Sequence, residues 1–370
     1  MQYWIWLRTI KGLGPLIEKR LLSVFTNPKA IYDAKEEELK SVYGVGNAIA
    51  NTILSSKSLD NAYSIIDDCE RHNINILTYY DPLYPDIARK YDDAPILLYY
   101  KGKIEKNYEG VAIVGSRRCS DYGKEVAIST AGFLAKNNIT VISGMAKGID
   151  SYAHISCIKN GGYTIACLGC GVDICYPAEH RELMDGIISK GAVISEFPPG
   201  TKPRPEYFPM RNRLISSWSK KVLVVEASEK SGALITANYA KSQGKEVYVP
   251  PNEIFRSTGK GTNKLLMEGA NLYLDPNQLL FEKSNNRVED NTNNPISTDI
   301  KITDKTSTIT ATQLSPIEEK IISCISNTPK SMDIISIETK IEQTDLIVHL
   351  SEMELEGKIT SLAGGRYFHG

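Results

Sequence analysis

Nowhere in its 370 residues does the chain approach the roughly 18 consecutive apolar residues that a membrane span requires. Its first residues, MQYWIWLRTIKGLGP, lack the basic start and long apolar middle of a signal peptide. Cysteine is sparse, and its seven copies are an odd number scattered through a large chain. That usage suits a reducing cytoplasm better than a disulfide framework. Nucleotide fingerprints are missing too. There is no GxxxxGK(S/T) loop, and Gly169-Cys170-Gly171 begins like the dinucleotide motif but has Ile174 at the third glycine position. A nicotinamide or ATP enzyme is therefore poorly supported, and neither a cofactor nor a membrane partner is expected. Cys167, Cys170, Cys175 and His180 mimic a small zinc knuckle. Cys167, however, lies in an apolar strand-like run, where a free cysteine acts as a small core residue, so no metal is expected.

What the chain does have is unevenly placed charge. A net charge of −1 hides a middle segment, 111–280, with 20 Lys+Arg against 15 Asp+Glu, and a tail, 314–370, with 5 against 9. A nucleic-acid ligand would sit on the basic middle. The length allows two or three domains of roughly 100–200 residues each.

Residues 1–65 read as short helices punctuated by two similar turns, Ile10-Lys11-Gly12-Leu13-Gly14-Pro15 and Val42-Tyr43-Gly44-Val45-Gly46-Asn47. This is the helix-hairpin-helix pattern, whose glycines let backbone approach a DNA phosphate. Few bases stand near these turns, which favours helix packing over DNA contact. From 66 to 283 a bridge leads into alternating strands and helices. Strand candidates are 111–114, 139–143, 164–168, 192–197, 222–227, 246–249 and 270–274. Helices are expected at 122–137, 149–159, 178–190 and 232–243. Such alternation predicts an α/β domain with a mostly parallel sheet. Residues 284–313 turn polar and Asn/Thr-rich, as in a flexible linker. Residues 314–370 predict three helices and a hairpin turning at Gly364-Gly365, a small winged-helix domain. Its third helix, at 345–356, carries Asp345, Glu352, Glu354 and Glu356 with no Lys or Arg, which suits protein contact better than groove reading.

The stretch VAIVGSRRCSD, 111–121, predicts a buried strand, a glycine turn and a helix capped by Asp121. Helix N–H groups, Ser116, Arg117 and Arg118 would meet an anion there. Gly144 to Asp150 forms a second such turn, adding Lys147. Asp150 and His154 could do acid–base work, but a cap with a packed histidine is the commoner arrangement. The 197–213 stretch, FPPGTKPRPEYFPMRNR, reads as a proline-stiffened loop carrying Lys202, Arg204, Tyr207 and Phe208 ahead of Arg211-Asn212-Arg213. Guanidinium forks hold phosphates and aromatic rings stack on unpaired bases, so binding is favoured over catalysis.

Together these motifs resemble the bacterial DNA-processing protein A (DprA/Smf) family. The resemblance rests on GSRRCSDYG (115–123), SGMAKGIDSYAH (143–154), GCGVDICYP (169–177), SEFPPG (195–200), FPMRNRLIS (208–216), EASEKSGALITANYA (226–240) and GTNKLLMEGA (261–270). The chain departs from the family's pattern at Pro250-Pro251, usually Pro-Gly, and at Lys264, usually Arg. The resemblance implies an extended Rossmann-like domain flanked by an N-terminal helical (SAM-like/helix-hairpin-helix) domain and the C-terminal winged helix. It implies a non-enzymatic homodimer that binds single-stranded DNA without sequence preference, protects incoming strands in natural transformation and loads the RecA recombinase. Carried over by motif, Gly115, Ser116 and Arg117 would form a phosphate pocket with Arg211, Asn212 and Arg213, flanked by Lys202 or Arg204 and by Phe208. The rival reading is a Rossmann-like nucleotide sensor or hydrolase. Enzymes of that kind carry a PGGxGT turn with a catalytic Glu, whereas here Glu226-Ala227-Ser228 precedes Ser231-Gly232-Ala233 without that turn.

Overall fold

A computed structural model describes residues 1–281 and, further on, 315–326, 328–342, 346, 349, 350, 353, 358–362 and 366–369. The chain forms two compact units, 1–286 and 287–370. The linker expected at 284–313, the turn at Gly364-Gly365 and the acidic residues Asp345, Glu352, Glu354 and Glu356 lie outside the described residues.

Six short helices open the first unit: α1 (Gln2–Thr9), α2 (Pro15–Phe25), α3 (Pro28–Asp33), α4 (Glu36–Lys40), α5 (Asn47–Ser55) and α6 (Asp60–Arg71). The two similar turns precede α2 and α5, and there Gly12 and Gly44 have φ of +82° and +86°. Only glycine takes that conformation without strain.

The sheet is built from β1 (Asn75–Thr78), β2 (Leu97–Gly102), β3 (Gly110–Val114), β4 (Thr140–Ser143), β5 (Thr164–Cys167), β6 (Ala192–Ser195), β7 (Lys221–Val224), β8 (Glu246–Val249) and β9 (Asn271–Leu272). Its helices are α7 (Asp86–Arg89), α8 (Asp121–Lys136), α9 (Ile149–Lys159), α10 (Arg181–Lys190), α11 (Tyr207–Trp218), α12 (Gly232–Ser242) and α13 (Ser257–Met267). In space the strands run β1-β2-β6-β5-β4-β3-β7-β8-β9. β1 and β2 pair antiparallel, as do β2 and β6, and every neighbouring pair from β6 to β9 is parallel.

Strands β3 to β6 are buried along their whole length, which is why they read as continuous apolar runs. Alternate residues serve opposite faces. Val111 and Ile113 of β3 pack with Ala131 and Leu134 of α8 and Ala153 of α9. Ala112 and Val114 pack with Leu214 and Trp218 of α11 and Ala237 of α12. A third cluster joins the N-terminal helices to the sheet, with Ile5, Leu21 and Ile53 beside Leu97, Tyr99 and Val193.

Each expected strand of the middle segment is present, with ends shifted by a few residues. Two further helices, α11 and α13, lie in the remaining gaps between strands, and α11 takes in residues 207–213, which read as loop in the sequence. In α11 the misleading residue is Pro209, which sits in the first helical turn, where a missing N–H costs no hydrogen bond.

The second unit has α14 (Pro316–Ile325), β10 (Lys330–Ser331), α15 (Met332–Thr339), β11 (Thr360–Leu362) and β12 (Arg366–Phe368). Helical Leu346, Leu350 and Met353 share a core with Ile321, Ile325, Ile335 and Ile359. The strands form an antiparallel sheet in the order β10-β12-β11, which is a winged-helix arrangement. Among the described residues no helix is long and apolar enough to cross a membrane.

Candidate functional site

From β3 the chain steps through β4, β5 and β6 on one side, then returns to place β7 on the other. Open α/β sheets bind ligands at that switch point, beyond the strand C-termini. A cavity of about 530 Å³ lies there, lined by Gly115, Arg117, Phe208, Arg211, Asn212 and Gly232 among others. A narrower pocket walled by Lys147, Gly169, Tyr176 and Pro177 shares Arg117, Phe208 and Arg211 with it.

Phe208 is the hinge of this arrangement. Its ring centroid lies 5.5 Å from the guanidinium carbon of Arg117 and 5.7 Å from that of Arg211. The Tyr176 ring stands 5.7 Å away. Gly169 makes room, since a Cβ there would stand 3.1 Å from the Phe208 ring.

Arg211 is 6 % exposed. Its Nη1 donates to the carbonyls of Gly144, in a short contact, and of Cys167, at 2.8 Å. Its Nε donates to Asn212 Oδ1 at 3.1 Å, and Asn212 donates in turn to the Gly232 carbonyl at 3.0 Å. Arg211 takes part in no ion pair among the described residues, and its Nη2 makes no hydrogen bond with them. Burial lowers its pKa, with Asp150 acting in the opposite direction. Asp150 favours the guanidinium charge from beyond ion-pair distance, and an anion entering the cavity would add to that stabilisation. Arg117, by contrast, is exposed.

Other expected residues are placed differently. Ser116 does not face the cavity, because its hydroxyl donates to the Arg118 carbonyl at 2.8 Å and accepts from the Arg118 N–H at 3.1 Å. Lys147 reaches the narrower pocket but forms a short ion pair with Glu179, whose carboxyl it holds below the usual range. Lys202 and Arg204 are exposed on the loop ahead of α11, and neither lines the two cavities. Arg204 stands 4.0 Å from Glu206 and 5.9 Å from the Tyr207 ring centre.

Arg213 corrects the expectation that 211–213 act together. The triplet lies on α11, not on a loop, and residues two apart on a helix face different ways. Arg213 Nη2 meets both oxygens of Glu196, at 2.7 and 2.8 Å, and its Nη1 donates to the Asp93 carbonyl. Glu196 also pairs with Arg8 at 3.2 Å, and Arg8 with Glu18 at 3.3 Å. This buried network of four charges ties α1 and α2 to the end of β6 and to α11.

The helix N-termini are not open either. Ser120, not Asp121, caps α8, and Glu226 accepts the Ser120 N–H at 2.9 Å and its hydroxyl in a short contact. Asp150 accepts the N–H groups of Gly144 and Ala146, at 3.1 and 3.4 Å. His154 is wholly buried with Nδ1 2.7 Å from Thr164 Oγ1, and burial pushes its pKa down to about 3. Asp150 and His154 are thus used in holding the turn and packing the core. Cys170 and Cys175 turn their thiols to the carbonyls of Ile174 and Pro177, while His180 Nδ1 lies 3.0 Å from the Met145 carbonyl. Those side chains do not converge as zinc ligands would. Near the helix-hairpin-helix turns, Lys19 and Lys57 donate to the carbonyls of Tyr91 and Ala34, Arg20 donates to the Tyr43 carbonyl of the second turn, and Lys11 in the first turn is exposed.

Sequence reasoning missed Tyr176 and the internal role of Glu226. Tyr176 carried a signal, since it stands just before the end of the GCGVDICYP motif. Glu226 meets a partner 106 residues away, which no local pattern reveals.

Comparison with known proteins agrees with this layout. The model of DNA recombination-mediator protein A matches residues 75–284, that of the DprA winged helix domain 305–365, and that of the SAM-like helix-hairpin-helix tandem 7–56. Protein Smf of Synechocystis sp. is 32 % identical over 99 % of this chain and 98 % of its own length. DNA processing protein DprA of Streptococcus pneumoniae is 39 % identical over 60 % of the chain and 73 % of its own. The X-ray structure of the S. pneumoniae protein superimposes with a TM-score of 0.68 at 30 % identity, covering 75 % of this chain and 96 % of that one.

Proposed function

The chain belongs to the DNA recombination-mediator protein A (DprA/Smf) family, and from that premise we propose that it binds single-stranded DNA without sequence preference at the Arg117–Phe208–Arg211 cavity. The observation that carries this reading is Arg211, a buried guanidinium in no close ion pair among the described residues, which lines the cavity beside the exposed Arg117. Two cations around one aromatic ring suit alternating phosphates and unpaired bases, because phosphates take the guanidinium forks and base faces stack on the ring. A duplex hides its base faces, so Phe208 and Tyr176 favour a single strand. Lys202 and Arg204 extend the cationic surface along the loop.

The nucleotide-sensor or hydrolase alternative draws no support from the site. Glu226 fills the α8 N-terminus where a nucleotide phosphate would rest. Asp150 and His154 are occupied by backbone and core contacts. Family membership supports a role in recombination in which this protein protects incoming strands during natural transformation and loads the RecA recombinase onto them.

Two copies of the chain associate through the β9 edge of the sheet. On and beside that two-residue edge strand, Ile254, Phe255, Met267 and Leu274 are 69, 90, 89 and 70 % exposed. An apolar set beside an open sheet edge favours a partner.

Fluorescence anisotropy with single strands of unrelated sequence and with a duplex, over a salt series, tests the binding. The expected result is similar affinity for every single strand, weaker duplex binding and a log–log salt slope of about −0.7 per phosphate contacted. Equal or tighter duplex binding, or one preferred sequence, would overturn it.

A further inference from the structure

A parallel α/β sheet ordinarily offers a ligand phosphate the N-terminus of the helix that follows its switch-point strand. In this chain that seat is α8, and it is filled from inside. Glu226 is 1 % exposed. Its carboxylate accepts the N–H and the hydroxyl of Ser120, the α8 cap, and the Ser120 hydroxyl oxygen accepts the Gly123 N–H at 3.1 Å.

The first turn of α8 is shaped for this guest. A Cβ at Gly123 would stand 2.7 Å from the Glu226 carboxyl carbon and 2.9 Å from one of its oxygens, so a side chain there would push the carboxylate out. Glu226 takes part in no ion pair among the described residues. Its charge is met instead by hydrogen-bond donors and by the positive end of a helix of 16 residues. A buried carboxylate without a cation, aimed at a helix N-terminus beside a glycine, is the mark of an occupied anion site.

We propose that Glu226 is a specificity-determining residue: a built-in anion that holds the α8 seat and bars free nucleotide phosphates from it. Ligand phosphates are then left with Arg117 and Arg211. Occupancy and like-charge repulsion work in the same direction, because a second anion at the seat would be buried against the first. The contact also pins Ser120 and so fixes the turn from Gly115 that carries Arg117. The benefit to DNA selection rests on the strand-binding reading above, whereas the occupied seat does not.

The test uses the full chain and inorganic phosphate as the probe. Thermal melting of the wild type, Glu226→Ala and Glu226→Ser is followed to about 20 mM phosphate, with chloride added to hold ionic strength. Arg117 and Arg211 also attract phosphate, so the readout is the increment over the wild type. Vacating the seat is expected to raise the phosphate-induced shift in melting temperature by about 3 °C or more. A folded variant that gains no more than the wild type overturns the proposal. If neither variant melts cooperatively in chloride, recovery of a cooperative transition in phosphate supports it and continued absence overturns it. A second arm asks whether pyrophosphate displaces a labelled single strand from the variants but not from the wild type. Failure of the wild type to bind the strand would count against the DNA reading alone, leaving the melting result to decide on Glu226.

Discussion

Arg211 and Arg213 stand two residues apart on α11 and serve opposite surfaces: one lines the switch-point cavity, the other is 2.7 Å from Glu196 in a buried ion pair. The helix therefore mounts the proposed binding group and a structural anchor on one rigid element. Substitutions at the two positions should fail in different ways.

Replacing Arg117 by Ala should weaken binding to oligonucleotides of every sequence by about tenfold and reduce the salt slope by about 0.7, as loss of one phosphate contact does. Anisotropy titrations at several salt concentrations measure both. Unchanged affinity and slope would remove Arg117 from the site.

Phe208→Ala should cost about 1–3 kcal/mol of binding, the range of a lost base stack, with little change in the salt slope. The contrast with Arg117→Ala separates stacking from charge. A slope that falls as far as in the arginine variant would mean that Phe208 acts only by positioning its two cationic neighbours.

Arg213→Met should act on stability. It leaves Glu196 facing only Arg8, and breaking a buried pair costs about 3–5 kcal/mol. Denaturant unfolding should show the loss, while affinity for single strands, measured well below the melting temperature, should stay within about threefold of the wild type.

Glu18 gives the protein a pH dependence near neutrality. Burial raises its carboxyl pKa from 4.5 to about 7, partly offset by Arg8. Between those values the folded chain holds a proton that the unfolded chain has released, so stability falls as pH rises through that window. Glu18→Gln should therefore gain in melting temperature over the wild type as pH rises from about 5.5 to about 8.5. A constant difference across that range would mean that Glu18 does not titrate there.

Phe255→Asp combined with Met267→Asp should shift self-association toward monomer by at least about tenfold in concentration, since a charge at each position opposes apolar contact. Sedimentation or light scattering over a dilution series reads the shift. Unaltered assembly would place the contact elsewhere.

Much of this architecture is legible in the residues. β3 to β6 announce themselves because strands covered on both faces need β-branched apolar runs, and α9 begins and ends at its expected residues. The site is legible as a composition of arginines, glycines and aromatics, but not as a geometry. The prolines from 198 to 205 made a loop look longer than it is, and helical phase then split a triplet that reads as one cationic group. Partners such as Ser120 with Glu226, or Arg8 with Glu196, are far apart in the chain and close only once the sheet has assembled. A local pattern shows which residues could carry charge. The fold decides which of those charges are already spoken for.

The chain of contacts from Glu18 through Arg8 and Glu196 to Arg213 bears on how this protein can be cut and recombined. The family's principal match begins at residue 75, yet a buried charge on the near side of that boundary neutralises one on the far side. Grafting the helical region of a relative onto this sheet should succeed only when Arg8 and Glu196 are inherited as a matched pair. The N-terminal helices are in that sense not a detachable module but the second half of an interface that was never separated.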